Sequence, residues 1–202
     1  SGEAGRRSVV GFPQEDVLTV SQRRGPSAGD DFATIMRYEF DRTFAMDSTQ
    51  EQVFEAVQPL IVSVLDGYNG CIFAYGQTGS GKTHTMGTGF AALVNSENIE
   101  RGTEDNCLLT PQDGVIPRVM THLFSRASEA KAKSGDIISM SCSYLELYKE
   151  NVKDLLKPSE KPLSLREDAK GTVFVAGLHE EKVSSLRDMA ACLRQGATSR
   201  ST

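Results

Sequence analysis

The sequence predicts a three-layer α/β domain carrying a phosphate-binding loop, and three observations point to it. Apolar runs with the alternation of strands are interspersed with runs of helical period. One such run, Cys71-Ile72-Phe73-Ala74-Tyr75, leads directly into Gly76-Gln77-Thr78-Gly79-Ser80-Gly81-Lys82-Thr83, a complete G-x-x-x-x-G-K-[ST] pattern. A helix is expected to open at the end of that loop. Strand, loop and helix then follow in the order that places a ligand at the carboxyl edge of a sheet.

Taken in order, the chain first alternates as a strand around Val17-Leu18-Thr19-Val20, breaks at Gly25-Pro26-Ser27-Ala28-Gly29 and resumes at Arg37-Tyr38-Glu39-Phe40. This is the pattern of short antiparallel strands joined by a turn. Asp47 or Ser48 is expected to cap a helix whose apolar residues Val53, Phe54, Val57, Leu60, Ile61, Val64 and Leu65 recur at helical spacing. Pro59 predicts a kink or a break within it. Asp66-Gly67-Tyr68-Asn69-Gly70 supplies the turn residues that end it, and residues 71–75 read as a buried strand.

Beyond the loop, residues 87–113 are rich in Gly, Asn, Glu and Thr and read as a long surface insertion. Helical order returns at Val115, with Pro117 near the helix start and Leu123 and Phe124 on the apolar face, and stops at Ser134-Gly135-Asp136. Residues 137–147 read as one long strand, Glu150-Asn151 as a turn, and residues 152–156 as a short apolar element. Asp168-Ala169-Lys170-Gly171 lies between two strand-like runs and signals a hairpin. Ser184 or Ser185 is expected to cap a last helix carrying Leu186, Met189, Ala190 and Leu193, with Gly196 stopping it. The pattern contains no internal repeat and no second domain.

The loop's chemistry explains its composition. A nucleoside triphosphate brings several negative charges, so its site needs many donors converging on a small volume without crowding by side chains. Gly76, Gly79 and Gly81 leave that room and let successive backbone N–H groups turn inward as an anion nest. Lys82 adds a point charge for the β- and γ-phosphates, and the Thr83 hydroxyl is the candidate ligand of a Mg²⁺ that bridges them. By chance alone the four fixed positions recur in roughly 1% of chains this long, so the strand before and the helix after carry much of the weight. A glycine-rich turn without a ligand is the alternative that this context disfavours.

Composition narrows the function classes. The 202 residues are 39% hydrophobic and 24% charged, with a formal net charge of -5. That balance suits a globular domain and argues against nucleic acid held by bulk electrostatics. The short basic clusters Arg6-Arg7 and Arg23-Arg24 read as solvated loops. No apolar run is long enough to span a bilayer, and Ser1-Gly2-Glu3-Ala4-Gly5-Arg6-Arg7 has no signal-peptide core, so an intracellular protein without membrane contact is expected. Cys71, Cys107, Cys142 and Cys192 are scattered without C-x-x-C pairing, and His84, His122 and His179 are equally dispersed. Buried reduced thiols are expected rather than a zinc site or a disulfide framework.

The flanks of the loop are more specific than the loop itself. Phe40-Asp41-Arg42-Thr43-Phe44, the helix start at Ser48-Thr49-Gln50-Glu51 and the unbroken run from Leu65 through Met86 resemble the kinesin motor domain. So do Gly114-Val115-Ile116-Pro117-Arg118, the run from Ser143 to Leu156 that ends in Asp-Leu-Leu, Leu165-Arg166-Glu167-Asp168, and Gly196-Ala197-Thr198-Ser199-Arg200. The wording at Met86-Gly87-Thr88-Gly89-Phe90 and near Gly196 is similar to the chromokinesin branch. The resemblance covers residues 38–202. It implies a P-loop NTPase fold with a central, mixed but mostly parallel sheet flanked by helices and small β-hairpin additions. It further implies an ATPase that moves along microtubules, with ATP and Mg²⁺ as cofactors, tubulin as partner, and the cytoplasm and cytoskeleton as location.

Carried onto matching positions, the resemblance assigns Gly76, Gln77, Thr78, Gly79, Ser80, Gly81, Lys82 and Thr83 to the phosphates and metal, and places His84 beside the adenine. Residues 87–113 fall where the family interrupts the helix after the phosphate loop, a segment tied to nucleotide release. The Asp168 to Gly171 hairpin falls near a tubulin contact. The family's adenine-contacting Arg-x-Arg-Pro is not spelled before Tyr38, and neither N-x-x-S-S-R-S-H nor D-L-A-G-x-E, which carry the γ-phosphate sensor and the metal-supporting aspartate, occurs in the chain. Asp168-Ala169-Lys170-Gly171 satisfies D-x-x-G but lies in a hairpin, and reads as a decoy.

The expectation is therefore a partial motor domain over residues 1–202, without its first strand and both switches, whose catalytic residues are not assigned. Its parent would be a motor with an oligomer-forming stalk outside this sequence, while the chain alone would hydrolyse ATP feebly or not at all. The alternative is a kinesin-like module that keeps nucleotide or tubulin contacts without turnover. An unrelated kinase or GTPase would need an arginine lid or N-K-x-D, and neither is found.

Overall fold

A computed structural model of the chain describes residues 9–23, 32–87, 109–135 and 137–200. The basic pair Arg6-Arg7, Arg24, the Gly25 to Gly29 turn, Cys107 and most of the 87–113 insertion lie outside the described residues. Two compact units are present, Ser1–Ala56 and Val57–Thr202.

The first unit holds a three-stranded antiparallel sheet in the order β1 (Val10–Gln14), β2 (Val17–Arg23), β3 (Phe32–Glu39). The β2 and β3 pairing was legible from alternation. Strand β1, which contains Pro13, adds a third strand beyond those the alternation picks out. Pro13 has no N–H to give a ladder, and it is accommodated because β1 is the edge strand and its register shifts between Gly11 and Gln14. Val17, only 1% exposed, anchors the sheet. The Thr43 N–H and its hydroxyl, 2.9 Å from the acceptor, both bond to the Glu15 carbonyl, tying the Phe40 to Phe44 segment to the β1–β2 turn.

Helix α1 spans Gln50–Leu65 and begins one or two residues later than expected, because Thr49 rather than Asp47 or Ser48 caps it. The Thr49 hydroxyl accepts from the Gln52 N–H at 3.3 Å while the Gln52 side chain accepts from the Thr49 N–H at 2.9 Å. This reciprocal pair is a capping box, and the glutamine three residues on decides which residue is the cap. Pro59 does not break the helix, which runs on to Leu65, and the Ser63 hydroxyl bonds to its carbonyl at 3.2 Å. Gly67, at φ 97°, ends the helix as the turn residues foretold.

The second unit continues with α2 (Lys82–Met86), α3 (Val115–Ser134), six short strands and α4 (Leu186–Ser199). Its strands pair as β4 (Met140–Cys142) with β9 (Glu181–Val183), β5 (Leu145–Tyr148) with β6 (Asn151–Asp154), and β7 (Ser164–Glu167) with β8 (Val173–Ala176). Every one of these pairs is antiparallel. A central, mostly parallel sheet is thus not found among the described residues. Parallel pairing requires distant segments to be brought side by side across a crossover, and residues 71–75, expected as the strand before the loop, form no ladder with any of them. That expected buried strand is instead chain without regular secondary structure, with Phe73 81% and Tyr75 94% exposed. Cys71 is exposed for the same reason, against the expectation of a buried thiol.

The long strand expected over 137–147 is divided. Its two parts join different partners, β9 and β6, so the pleat cannot run on between them. The β5–β6 turn lies at Lys149-Glu150, one residue earlier than expected. Both residues take positive φ (48° and 63°), the requirement of a type I′ turn that Asn-Gly satisfies most cheaply. The β7–β8 hairpin is as expected, with Glu167 facing Val173 across the Asp168 to Gly171 turn.

Phe124 of α3, Leu156, Val183 of β9, and Leu186 and Cys192 of α4 form a buried cluster. Met120, Met140, Cys142, Tyr144 and Met189 pack against it. Helix α4 is capped by Ser185, whose side chain accepts from the Asp188 N–H at 3.2 Å, while Asp188 accepts from the Ser184 N–H at 2.9 Å. Gly196 does not stop this helix, which runs on to Ser199. Its missing side chain serves packing instead, since the Tyr144 ring occupies the space where a Cβ would lie.

Candidate functional site

The segment from Gly76 to Thr83 is an exposed loop that closes on itself. The Lys82 ammonium donates to the carbonyls of Gly76 at 2.8 Å and Gln77 at 2.7 Å, so the lysine bridges the loop's two ends. The Ser80 N–H bonds back to the Gln77 carbonyl at 3.2 Å and tightens the middle. Gly79 and Gly81 sit at φ 80° and 92°, a region costly for L side chains, and among the described residues nothing lies within 4 Å of where their Cβ atoms would be. The loop is therefore shaped by backbone conformation and left open above it. Gly76 is constrained differently, because a Cβ there would meet the Ser80 hydroxyl, which would have to rotate away.

Helix α2 begins at Lys82 with Gly81 as a left-handed N-cap and ends on Gly87, whose N–H bonds to the Thr83 carbonyl at 2.9 Å. First-turn N–H groups of a helix have no acceptor within it, so those of Lys82 and Thr83 belong to the same donor set as the loop. With five residues the helix contributes these N–H groups more than a macrodipole. Thr83 is exposed, and its hydroxyl is a hard oxygen of the kind that suits Mg²⁺. His84 is exposed on the same short helix. Gln77, Thr78 and Ser80 are exposed on the loop. All nine residues singled out in the sequence are thus brought together in one continuous segment.

The arrangement offers what an anion receptor would need: glycine-shaped backbone, a lysine now bonded to two loop carbonyls, and a hydroxyl next to it. What the sequence did not reveal is how the short helix is held. Gly87, at its end, lies against Gly114, which precedes α3; a Cβ on Gly87 would stand 2.5 Å from the Gly114 nitrogen, and one on Gly114 would stand 2.5 Å from the Thr85 carbonyl. The two glycines bracket the 87–113 insertion, and that pairing was the available signal. The insertion's ends meet.

Asp168 has no part in this loop. Its Oδ1 accepts from the Lys170 N–H at 2.8 Å and the Thr172 N–H at 2.9 Å, closing the β7–β8 hairpin. The D-x-x-G pattern there is turn chemistry. Among the described residues no cluster of three His, Cys, Asp or Glu side chains could hold a metal by itself.

Residues 12–202 match the family described as the kinesin motor domain. Kinesin-related protein 5 of Dictyostelium discoideum is 40% identical over 196 residues, which cover 96% of this chain and 17% of that protein. The kinesin-like protein KIN-12B of Arabidopsis thaliana is 35% identical over 211 residues, covering 96% of this chain and 15% of that protein. A solved structure of a fast kinesin is 30% identical with a TM-score of 0.75, covering 98% of this chain and 48% of that one. The chain spans less than a fifth of the two curated relatives and about half of the solved structure.

Proposed function

The chain belongs to the kinesin motor-domain family, and from that premise we propose that it is the ATP-binding part of a motor that couples ATP hydrolysis to movement along microtubules. The observation that carries the reading is the Gly76 to Thr83 loop with Lys82 folded over it. Gly76, Gln77, Thr78, Gly79, Ser80 and Gly81 would surround the phosphates with backbone donors, and Lys82 would leave the two loop carbonyls for β- and γ-phosphate oxygens. Thr83 would hold Mg²⁺. The ion, when bound, would neutralise charge shared between those phosphates. His84, exposed on α2, would lie beside the base.

Tubulin is the proposed partner, and the exposed β7–β8 hairpin, with Leu165 62% and Val173 64% accessible, is a surface available to it. Among the described residues no helix is long and apolar enough to cross a membrane. A cytoskeletal location follows from the partner. Because N-x-x-S-S-R-S-H and D-L-A-G-x-E do not occur in these residues, turnover by this chain alone is proposed to be weak or absent. What it retains is binding.

Calorimetric titration of Mg·ATP into the chain and into Lys82→Ala tests the reading. The expected result is saturable binding weakened roughly tenfold or more by the substitution, the cost of one charge-assisted contact. Equal binding by both would overturn the site. Phosphate release measured with and without microtubules tests the rest, and clear microtubule stimulation would overturn the proposal that these residues do not turn over alone.

A further inference from the structure

A five-residue helix cannot hold itself in place, since isolated helices well over ten residues long are still marginal in water. The placement of α2, and with it Lys82 and Thr83, must come from its neighbours, and α3 is the element it packs on. The contact is made at the close approach of Gly87 and Gly114, both buried. What fixes Gly114 is the turn before it. The Asp113 N–H bonds to the Thr110 carbonyl at 3.1 Å, and the Asp113 carboxylate accepts from the Thr110 N–H at 2.6 Å and from its hydroxyl at 2.8 Å.

Arg118 closes this turn from the next helical turn of α3. It is 9% exposed, and its guanidinium donates from Nε to the Asp113 carbonyl at 2.9 Å and from Nη2 to the Thr110 carbonyl at 3.2 Å. Burying a guanidinium is costly unless its donors find acceptors, and two of them go to the carbonyls that define the turn's ends. A lysine could reach one carbonyl at a time, because it lacks the planar fork.

We propose that Arg118 is a positioning residue for nucleotide binding: by clamping residues 110–113 it holds Gly114 against Gly87 and thereby sets where Lys82 and Thr83 stand. The coupling runs from the Arg118 guanidinium through the turn to Gly114, across to Gly87, and from the Gly87 N–H to the Thr83 carbonyl. It acts through backbone contact and requires no contact between Arg118 and nucleotide. The inference rests on the reading of Gly76 to Thr83 as the ATP site.

The test compares the full chain with Arg118→Met, Arg118→Lys and Gly114→Ala, by calorimetric titration of Mg·ATP, thermal melting, and amide hydrogen exchange. Expected for Arg118→Met and Gly114→Ala is a loss of ATP affinity of roughly tenfold, the scale on which supporting contacts of a site act, with Arg118→Lys intermediate. The Thr85 and Gly87 amides, which report α2, should exchange at least tenfold faster while amides in the last two turns of α3 are unchanged. A folded Arg118→Met that binds ATP within twofold of the unsubstituted chain would overturn the proposal. So would faster exchange spread evenly through α3 and α4, which marks a merely structural role. If Arg118→Met does not fold, Gly114→Ala decides on the same criteria. Failure of the unsubstituted chain to bind ATP would be seen before any substitution and would overturn the underlying site assignment instead.

Discussion

The ring of Tyr144 lies against the backbone of Gly196, filling the space that any larger residue on α4 would need. Tyr144 stands between β4 and β5, at the point where the chain leaves one antiparallel pair for another, and Gly196 is buried on the facing helix. The contact therefore fixes the helix to the break in the strand.

Two opposing effects decide what Gly196→Ala does. Alanine in a helix interior favours folding by about 0.5–1 kcal/mol over glycine, but overpacking a filled site costs roughly 1–3 kcal/mol. The clash falls on a ring held in the core cluster, so net destabilisation of about 1–2 kcal/mol is expected in chemical denaturation. In a Tyr144→Ala background the sign should reverse, leaving only the helix preference. Destabilisation that persists there would refute the packing account.

Asp154 holds three backbone N–H groups and ties the end of β6 to the chain at His179. Its Oδ1 accepts from the Leu156 and Lys157 N–H groups, both at 2.9 Å, and its Oδ2 from the His179 N–H at 2.8 Å, all around a side chain on a residue 5% exposed. Asp154→Ala leaves three donors without their acceptor, and a loss of roughly 2–4 kcal/mol is expected. Equilibrium unfolding in urea measures it. A change below about 0.5 kcal/mol would show that solvent replaces the carboxylate at no cost.

The Asp168 carboxyl is held below its ordinary value of 3.8, first by the Thr172 backbone donor and then by that of Lys170. A depressed folded value means that the carboxylate supports the turn at all pH above the unfolded value. Support is lost as pH falls through the lower, folded value. The β7–β8 hairpin should keep its native chemical shifts at pH 4 and lose them only below the Asp168 midpoint, which NMR titration locates directly. A midpoint at or above 3.8 would contradict the hydrogen bonding seen in the turn.

Cysteine reactivity should divide sharply. Cys71 is exposed, whereas burial, reinforced by contact with Cys192, pushes the Cys142 thiol up to about 11, and burial also raises Cys192. Thiolates are the reactive form, so maleimide labelling at pH 7 should modify Cys71 well before Cys142 or Cys192. Mass mapping at early times checks this, and early modification of Cys192 would contradict its burial in the cluster.

What the sequence by itself determined was local chemistry. The glycine-rich turn before α2, the cap of α4, the hairpin at Asp168 and the end of α1 each depend on residues a few positions apart, and short-range spacing records them faithfully. Long, specific runs around the loop also identified the family. Tertiary structure decided what depends on distant neighbours: that residues 137–147 divide between two partners, that residues 71–75 form no ladder among the described residues, that Gly196 receives a ring instead of ending a helix. The candidate site divides along the same line. Gly76 to Thr83 announced itself because its chemistry is contiguous, whereas its support, from Gly87 across to Gly114 and back to Arg118, joins positions about thirty residues apart. A side chain's partner across that interval is set by packing, and no spacing rule encodes it.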